Sequence, residues 1–134
     1  MKHPKIIYIL CGVFLISGLA GGCKGKMDSI PLEGAALKGK ELYNGKGGCN
    51  ICHSIDGSSK QGPTFAGLYG SRVTVTTGGE ERTVTADEGY LRKSITSPKE
   101  DIVKGFDTVA MTVPSLSDEE IDALIAFIKA VKGI

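Results

Sequence analysis

Two thiols and one imidazole lie within a single short motif, Cys49-Asn50-Ile51-Cys52-His53. Cys-x-x-Cys-His is the attachment pattern for a c-type haem. Two cysteines three positions apart on one helical turn face the same way, so both thiols can add to the two vinyl groups of one porphyrin. The ring is then fixed, and the imidazole of His53 comes to lie beneath the iron. The motif predicts one haem c, covalent through Cys49 and Cys52 and ligated by His53.

Two other chemistries use the same residue types. Thiol–disulfide enzymes carry Cys-x-x-Cys close to a βαβ unit, whereas a helix is the one element predicted before the motif. A structural zinc site needs four ligands, but Cys11, Cys23 and His3, which complete the cysteine and histidine inventory, all lie far away near the N-terminus. We favour haem attachment and keep two alternatives: a thiol–disulfide oxidoreductase, and a haem-based sensor or ligand-binding module with an open sixth iron site.

A sixth iron ligand has to come from elsewhere in the chain. The other histidine, His3, lies in the N-terminal segment, so a methionine thioether is the natural choice. A thioether ligand also raises the redox potential of the haem. Met1 and Met27 lie in the N-terminal segment, which leaves Met111, in an irregular stretch before the final helix. The competing interpretation is that Met111 fills a gap in the core. We predict that Met111 is the second axial ligand.

The dipeptide Gly62-Pro63 follows ten residues after His53. A carbonyl at this point could accept a hydrogen bond from the ring nitrogen of His53 that does not bind the metal. Such a bond fixes the tautomer and tunes the iron, so Pro63 is included among the predicted cofactor-binding residues.

The first 22 residues read as an export signal. Lys2 and Lys5 precede an uncharged apolar run over 6–20, which is shorter than the ~20 residues of a spanning helix. Small residues then lead to Cys23, and this junction resembles the bacterial lipobox. We predict a lipoprotein signal peptide over 1–22, a lipid on Cys23 and a tether over 23–33; the alternative is an ordinary signal peptide or an uncleaved anchor. The predicted location is the outer face of the bacterial cytoplasmic membrane.

Residues 34–134 are predicted to form one domain. Helices are predicted over 34–44, from 85 to just before Pro98, and from Ser117 to the end, with a β-hairpin near 72–85. Charge is balanced, with 16 basic and 15 acidic residues, which argues against nucleic-acid binding. Aromatic residues make up 6% of the chain, and a haem would supply the missing core volume.

The region from about residue 34 to 131 resembles a class I monohaem cytochrome c. The resemblance is carried by Gly39, Leu42 and Tyr43 in the first helix, by the Cys-x-x-Cys-His motif, by Gly62-Pro63, by Met111, and by Leu124 and Phe127 in the last helix. It implies an all-α cytochrome c fold, in which the first and last helices cross around one covalent haem, with a small β-hairpin insertion. It also implies a close contact of Gly39 with Phe127, with Tyr43 alongside.

A narrower likeness is to the cytochrome c domain of bacterial haem-copper oxidase subunit II, and it includes the stretch 62–71. That likeness implies that Tyr69 and Arg72 contact a haem propionate. Proline often follows the methionine directly in that family, whereas Thr112-Val113-Pro114 follows it here. The copper-binding domain of those subunits is absent, which indicates a free-standing relative on a lipid anchor.

Together these features predict a membrane-anchored electron carrier and not an enzyme. It would pass single electrons through a His/Met-ligated haem in the respiratory chain. The implied partners are the membrane, through lipid on Cys23, with a quinol-oxidising complex as donor and a terminal oxidase as acceptor. A free shuttle and a fixed subunit of a larger respiratory complex both stay open.

Overall fold

A computed structural model describes residues 32–132 of the 134-residue chain. The elements in chain order are α1 (Ala35–Asn44), α2 (Cys49–Cys52), β1 (Arg72–Thr77), β2 (Glu80–Thr85), α3 (Glu88–Thr96), β3 (Ile102–Val103) and α4 (Asp118–Ala130). The predicted signal peptide, Cys23 and most of the predicted tether lie outside the described residues, so the boundaries proposed there stay predictions. Within 32–132 no helix has the length and apolar character needed to cross a membrane.

The first and last helices cross at a point where only glycine fits. A Cβ built on Gly39 would lie 2.0 Å from the carbonyl oxygen of Ala123 and 2.7 Å from the Cβ of Phe127. The ring of Tyr43 packs against the ring of Phe127, with centroids 5.3 Å apart. The predicted contact of Gly39 with Phe127, with Tyr43 alongside, is confirmed, and it sets the frame on which the cysteine motif sits.

The last helix begins as its sequence predicts. The hydroxyl of Ser117 accepts a hydrogen bond from the backbone N–H of Glu120, and the Glu120 carboxylate accepts one from the Ser117 N–H, which completes a capping box. The inward face of α4 is apolar and packs with residues of α1, α3 and the loop after α2 in one core. This core includes Leu42, Phe65, Leu91, Ile121, Leu124, Ile125, Phe127 and Ile128.

The cap predicted for the middle helix is wrong by two residues. Thr85 is the last residue of β2, where it pairs with Arg72, and a residue held in a strand cannot cap a helix. The cap is instead Asp87, whose carboxylate accepts a hydrogen bond from the N–H of Tyr90 at 2.8 Å. The helix ends at Thr96, before Pro98, as predicted.

The predicted hairpin is present and belongs to a larger sheet. β1 and β2 pair antiparallel from Arg72 with Thr85 to Thr77 with Glu80, and both residues of the Gly78-Gly79 turn have positive φ. The two-residue β3 pairs with the other edge of β1, giving the order β2-β1-β3. A strand this short leaves no periodic signal in a sequence, which is why only a hairpin was predicted. The fold is mostly helical, with a small three-stranded antiparallel sheet inserted between α2 and α4.

Candidate haem-binding site

The cysteine motif folds into a single helical turn close to the end of α1. Gly48, directly before the turn, has a φ of 61°, in the left-handed region that favours glycine. A Cβ on Gly47 would lie 2.7 Å from the carbonyl oxygen of Leu42 and 3.2 Å from the Cys49 sulfur. The glycines before the motif are therefore a steric requirement, because the chain has to leave α1 and turn at once into the motif.

Both motif cysteines are free and partly buried. Burial raises the pKa of the Cys49 thiol above its ordinary value, so Cys49 is a protonated thiol at neutral pH. A thiol–disulfide enzyme works through a thiolate whose pKa is lowered by its surroundings. The environment of Cys49 raises the thiol pKa instead of lowering it, which weakens the thiol–disulfide alternative.

The imidazole of His53 is fixed on three sides. Its Nδ1 lies 2.8 Å from the carbonyl oxygen of Pro63, so the predicted hydrogen bond is present. The ring of Phe65 stacks on it with centroids 4.7 Å apart, and a Cβ on Gly62 would lie 2.5 Å from its Cε1. Since a carbonyl oxygen only accepts, Nδ1 carries the proton and Nε2 keeps a lone pair for a metal.

The electrostatics of this histidine favour the same form. His53 is 8% exposed, and burial lowers the pKa of its imidazole below the ordinary value. The ring is therefore neutral at pH 7, which is the form that ligates metals.

The backbone of His53 is held by a residue that the sequence did not indicate for this role. The hydroxyl of Tyr43 donates a buried hydrogen bond of 2.7 Å to the carbonyl oxygen of His53. Burial raises the pKa of this phenol, so it stays a neutral donor. Tyr43 was predicted only as part of the helix crossing, and its spacing from the motif carries no sign of a hydrogen bond.

The motif opens on a cavity of about 410 Å³. Cys49, Cys52, His53 and Met111 all line it, so the fold brings together the two predicted attachment thiols and the two predicted iron ligands. The rest of its wall is mainly apolar and comes from the loop after α2, from α3, from β3 and the segment after it, and from α4. Its apolar residues include Leu68, Leu91, Ile95, Ile102, Val103, Phe106, Val109, Val113, Leu124 and Ile128.

One polar atom in the cavity wall lacks a partner. The hydroxyl of Ser94, in α3, is buried and has no partner with good hydrogen-bond geometry within the described part of the chain, although the Tyr90 phenol, one turn earlier, is near enough to interact with it. An unmade bond of this kind costs free energy unless an occupant of the cavity supplies an acceptor. The cavity fits a c-type haem with its carboxylate side chains. It offers paired thiols for attachment, an imidazole with a free Nε2 and a thioether as metal ligands, apolar walls, and an unsatisfied hydroxyl.

The two residues predicted to contact a propionate lie elsewhere. Neither Tyr69 nor Arg72 is among the lining residues of the cavity. Tyr69 is 39% exposed and has the ammonium of Lys129 5.0 Å from its ring centroid, while Arg72 is an exposed residue at the start of β1. The propionate contact of these two residues gains no support from the cavity and stays a prediction.

Comparison with known proteins agrees with this chemistry. The family model for cytochrome c matches residues 36–132, which covers α1, the motif, the cavity and α4. A search of curated proteins finds no sequence that matches the chain. Cytochrome c domains hold haem c covalently through cysteines, and Cys49 and Cys52 are the free cysteines of the described residues. The chain therefore belongs to the cytochrome c family and is a c-type monohaem electron carrier.

Proposed function

We propose that this cytochrome carries single electrons between respiratory complexes while a lipid on Cys23 holds it at the membrane. In this proposal His53 and Met111 are the two axial ligands of the haem iron. The observation that carries it is the shared cavity: Met111 is far from the motif in sequence, yet it lines the same space as His53 and both cysteines.

The residues around the site each have a task in this proposal. The Pro63 carbonyl holds the proton on Nδ1 of His53, so that Nε2 faces the metal as a neutral donor. Phe65 and Gly62 fix the plane of the imidazole, so that little reorganisation accompanies each transfer. When bound, the haem supplies a one-electron change between ferric and ferrous iron, and the Met111 thioether favours the lower oxidation state.

The apolar wall and the second ligand separate this function from a haem-based sensor. A sensor needs an open iron position for its ligand, whereas a Met111 thioether would fill that position. The side chains of Leu91, Leu124 and Ile128 are almost fully buried in the cavity wall. Their burial favours a dry site, in which the electron moves without uptake of a small ligand.

The proposed partners are a quinol-oxidising complex, which gives up the electron, and a terminal oxidase, which accepts it. Electron-transfer partners dock briefly through small interfaces, and a charge close to neutral, +1 for the full chain, provides no strong steering. Attachment to the same membrane would compensate by raising the local concentration. A single acyl chain holds only marginally, so the proposal requires a multiply acylated Cys23.

Absorption spectra of the full chain test the ligand assignment. The protein treated with alkaline pyridine should give the spectrum of a c-type haem, and the ferric protein should show the weak sulfur-to-iron charge-transfer band. Met111→Ala should abolish that band while the haem stays attached. Met27→Ala, which changes the methionine of the predicted tether, is the matched control and should keep it. A band that survives in Met111→Ala contradicts Met111 ligation.

Intact-mass measurement of the membrane fraction tests the anchor. The mature chain should begin at Cys23 and carry acyl mass there, and Cys23→Ser should release the holoprotein from the membrane. A mature chain that begins elsewhere, or lacks acyl mass, contradicts the lipid anchor without affecting the haem assignment.

A further inference from the structure

One carboxylate is buried in the wall of the haem cavity. The side chain of Asp101 is 4% exposed, and the residue lines the cavity just before β3. It lies in the segment that leads from α3, through β3, to Met111. A buried carboxylate needs several donors to stay ionised, and the surrounding elements provide them.

Three side chains hold this carboxylate. Its Oδ1 accepts hydrogen bonds from the Thr77 hydroxyl at 2.5 Å and from Nη2 of Arg82 at 2.7 Å. Its Oδ2 lies 3.0 Å from the ammonium of Lys93. Because Thr77, Arg82 and Lys93 belong to β1, β2 and α3, one carboxylate ties three elements to the start of β3. We call these four residues the Asp101 cluster.

The charges of the Asp101 cluster are unequally placed. Its hydrogen bonds, first of all that from Thr77, lower the pKa of Asp101 from 3.8 to about 2, so the carboxylate is ionised at neutral pH. The side chains of Arg82 and Lys93 are 46% and 39% exposed, and neither residue lines the cavity. Water screens these two cations more strongly than the anion, which belongs to the cavity wall.

A second wall residue, Tyr90, is affected by charges of both signs in this cluster. The pKa of the Tyr90 phenol is raised mainly by burial and lowered by its interaction with the Ser94 hydroxyl; the negative charge of Asp101 raises it, and the positive charge of Arg82 lowers it by less. Tyr90 lines the same cavity from α3. Asp101 and Arg82 therefore act on this group of the cavity wall with opposite signs, and the effect of Asp101 is the larger.

We propose that Asp101 sets the redox potential of the haem, as a fixed negative charge in the cavity wall that stabilises the ferric state. Reduction adds one electron and so lowers the charge of the cofactor by one unit, which a nearby anion opposes. Asp101 is not an iron ligand in this proposal and acts only through its field. The inference rests on the proposed His/Met haem site.

Redox titration of the full-length holoprotein with mediator dyes tests this role. Asp101→Asn keeps the size of the side chain and an oxygen that can accept from Thr77, but it removes the charge. The ferrous-to-ferric ratio at a fixed applied potential should rise severalfold, where tenfold corresponds to about 59 mV for one electron. Arg82→Gln removes a cation from the same cluster, and the ratio should fall by a smaller factor.

Two controls separate charge from structure. Glu80→Gln removes an exposed negative charge from the same hairpin and should leave the midpoint unchanged. Asp101→Glu restores the charge and should return the midpoint towards that of the wild type. The sulfur-to-iron band, recorded for each variant, reports whether Met111 ligation is unchanged.

The opposite signs expected for Asp101→Asn and Arg82→Gln decide the question. An unchanged midpoint in Asp101→Asn with the band intact overturns the inference, and so does a shift of both variants in the same direction. If Asp101→Asn fails to fold, Arg82→Gln decides: a fall in the ratio supports the inference, and no fall overturns it. Absence of haem c or of the band in the wild type contradicts the proposed function itself.

Discussion

The two predicted iron ligands lie in very different surroundings. On the histidine side, the ring of His53 is held by a hydrogen bond, an aromatic stack and a glycine contact, and its backbone by the Tyr43 hydroxyl. On the methionine side, Met111 lies in a stretch without helix or strand, and most residues from 107 to 115 are exposed. From 107 to 116, within the part of the chain that the structure describes, no backbone-to-backbone hydrogen bond is made.

This difference indicates how the site is built. The histidine side is determined by the fold, because the helix crossing and the loop after α2 fix the imidazole before any cofactor is considered. The methionine side is held mainly at its start, through β3 and the Asp101 cluster. We therefore expect Met111 to depend on the iron–sulfur bond itself for its final position, and we expect the two sides to respond differently to perturbation.

The helix crossing should give the largest effect. Gly39→Ala places a methyl group 2.0 Å from the Ala123 carbonyl oxygen, so α1 and α4 have to separate. We expect a loss of about 3 kcal/mol in the free energy of unfolding, the upper end of the usual range for overpacked sites, because the contact is with backbone. Denaturant unfolding of the holoprotein, followed by circular dichroism, measures it.

A second helical glycine provides the matched control. A Cβ on Gly89, in α3, would meet its nearest atom, the Asp87 carboxylate oxygen, at 3.4 Å. Gly89→Ala should therefore be neutral or stabilising by up to about 1 kcal/mol. Equal losses in Gly39→Ala and Gly89→Ala would mean that the crossing is not the frame of the histidine side.

The sequence predicted the histidine side better than the methionine side. Local patterns in the sequence predict this side. The helical period and a small residue predict the contact of Gly39 with Phe127, and the spacing of the motif predicts the ligand His53. Each of these residues has its expected neighbour in the structure. The Tyr43 hydrogen bond, the unpartnered Ser94 and the Asp101 cluster carry no such signal, because they depend on how the folded elements pack against one another and not on a local pattern of residue types. The strand pairing of Val103 with Val75 depends on tertiary contact in the same way.

Denaturant should separate the two sides directly. In ferric protein titrated with guanidinium chloride, the sulfur-to-iron band should disappear at a lower concentration than the helical signal. The reason is that the exposed Met111 stretch opens locally at little free-energy cost, whereas the crossing of α1 and α4 unfolds with the whole domain. Coincident transitions would contradict the comparison, since both sides would then belong to one cooperative unit.

Acid should weaken the methionine side at its start. Because the folded pKa of Asp101, about 2, is below its ordinary value of 3.8, the ionised carboxylate stabilises the native state above pH 3.8. That stabilisation is lost as the pH falls through 2. Asp101→Asn should lower the free energy of unfolding near neutral pH by about 2 kcal/mol, the range for hydrogen bonds to a charged group.

The difference between wild type and Asp101→Asn should therefore shrink between pH 3.8 and about 2. Unfolding curves of both proteins across this range measure it. The matched control is Glu80→Gln, whose exposed carboxylate should give a much smaller difference at neutral pH. A gap for Asp101→Asn that stays constant down to pH 2 would show that the carboxylate stabilises through its shape and not its charge.

The smallest effect should come from Tyr43→Phe, and it sharpens the comparison because it changes the histidine side alone. The substitution keeps the ring contacts with Phe65 and Phe127 and removes only the hydroxyl that donates to the His53 carbonyl oxygen. We expect a loss of about 1 kcal/mol in the free energy of unfolding. The sulfur-to-iron band should be unchanged, because the Pro63 bond and the Phe65 stack still orient the imidazole. A weakened band would mean that the phenol positions the ligand as well as stabilising the fold, and that the histidine side depends on fewer contacts than its geometry indicates.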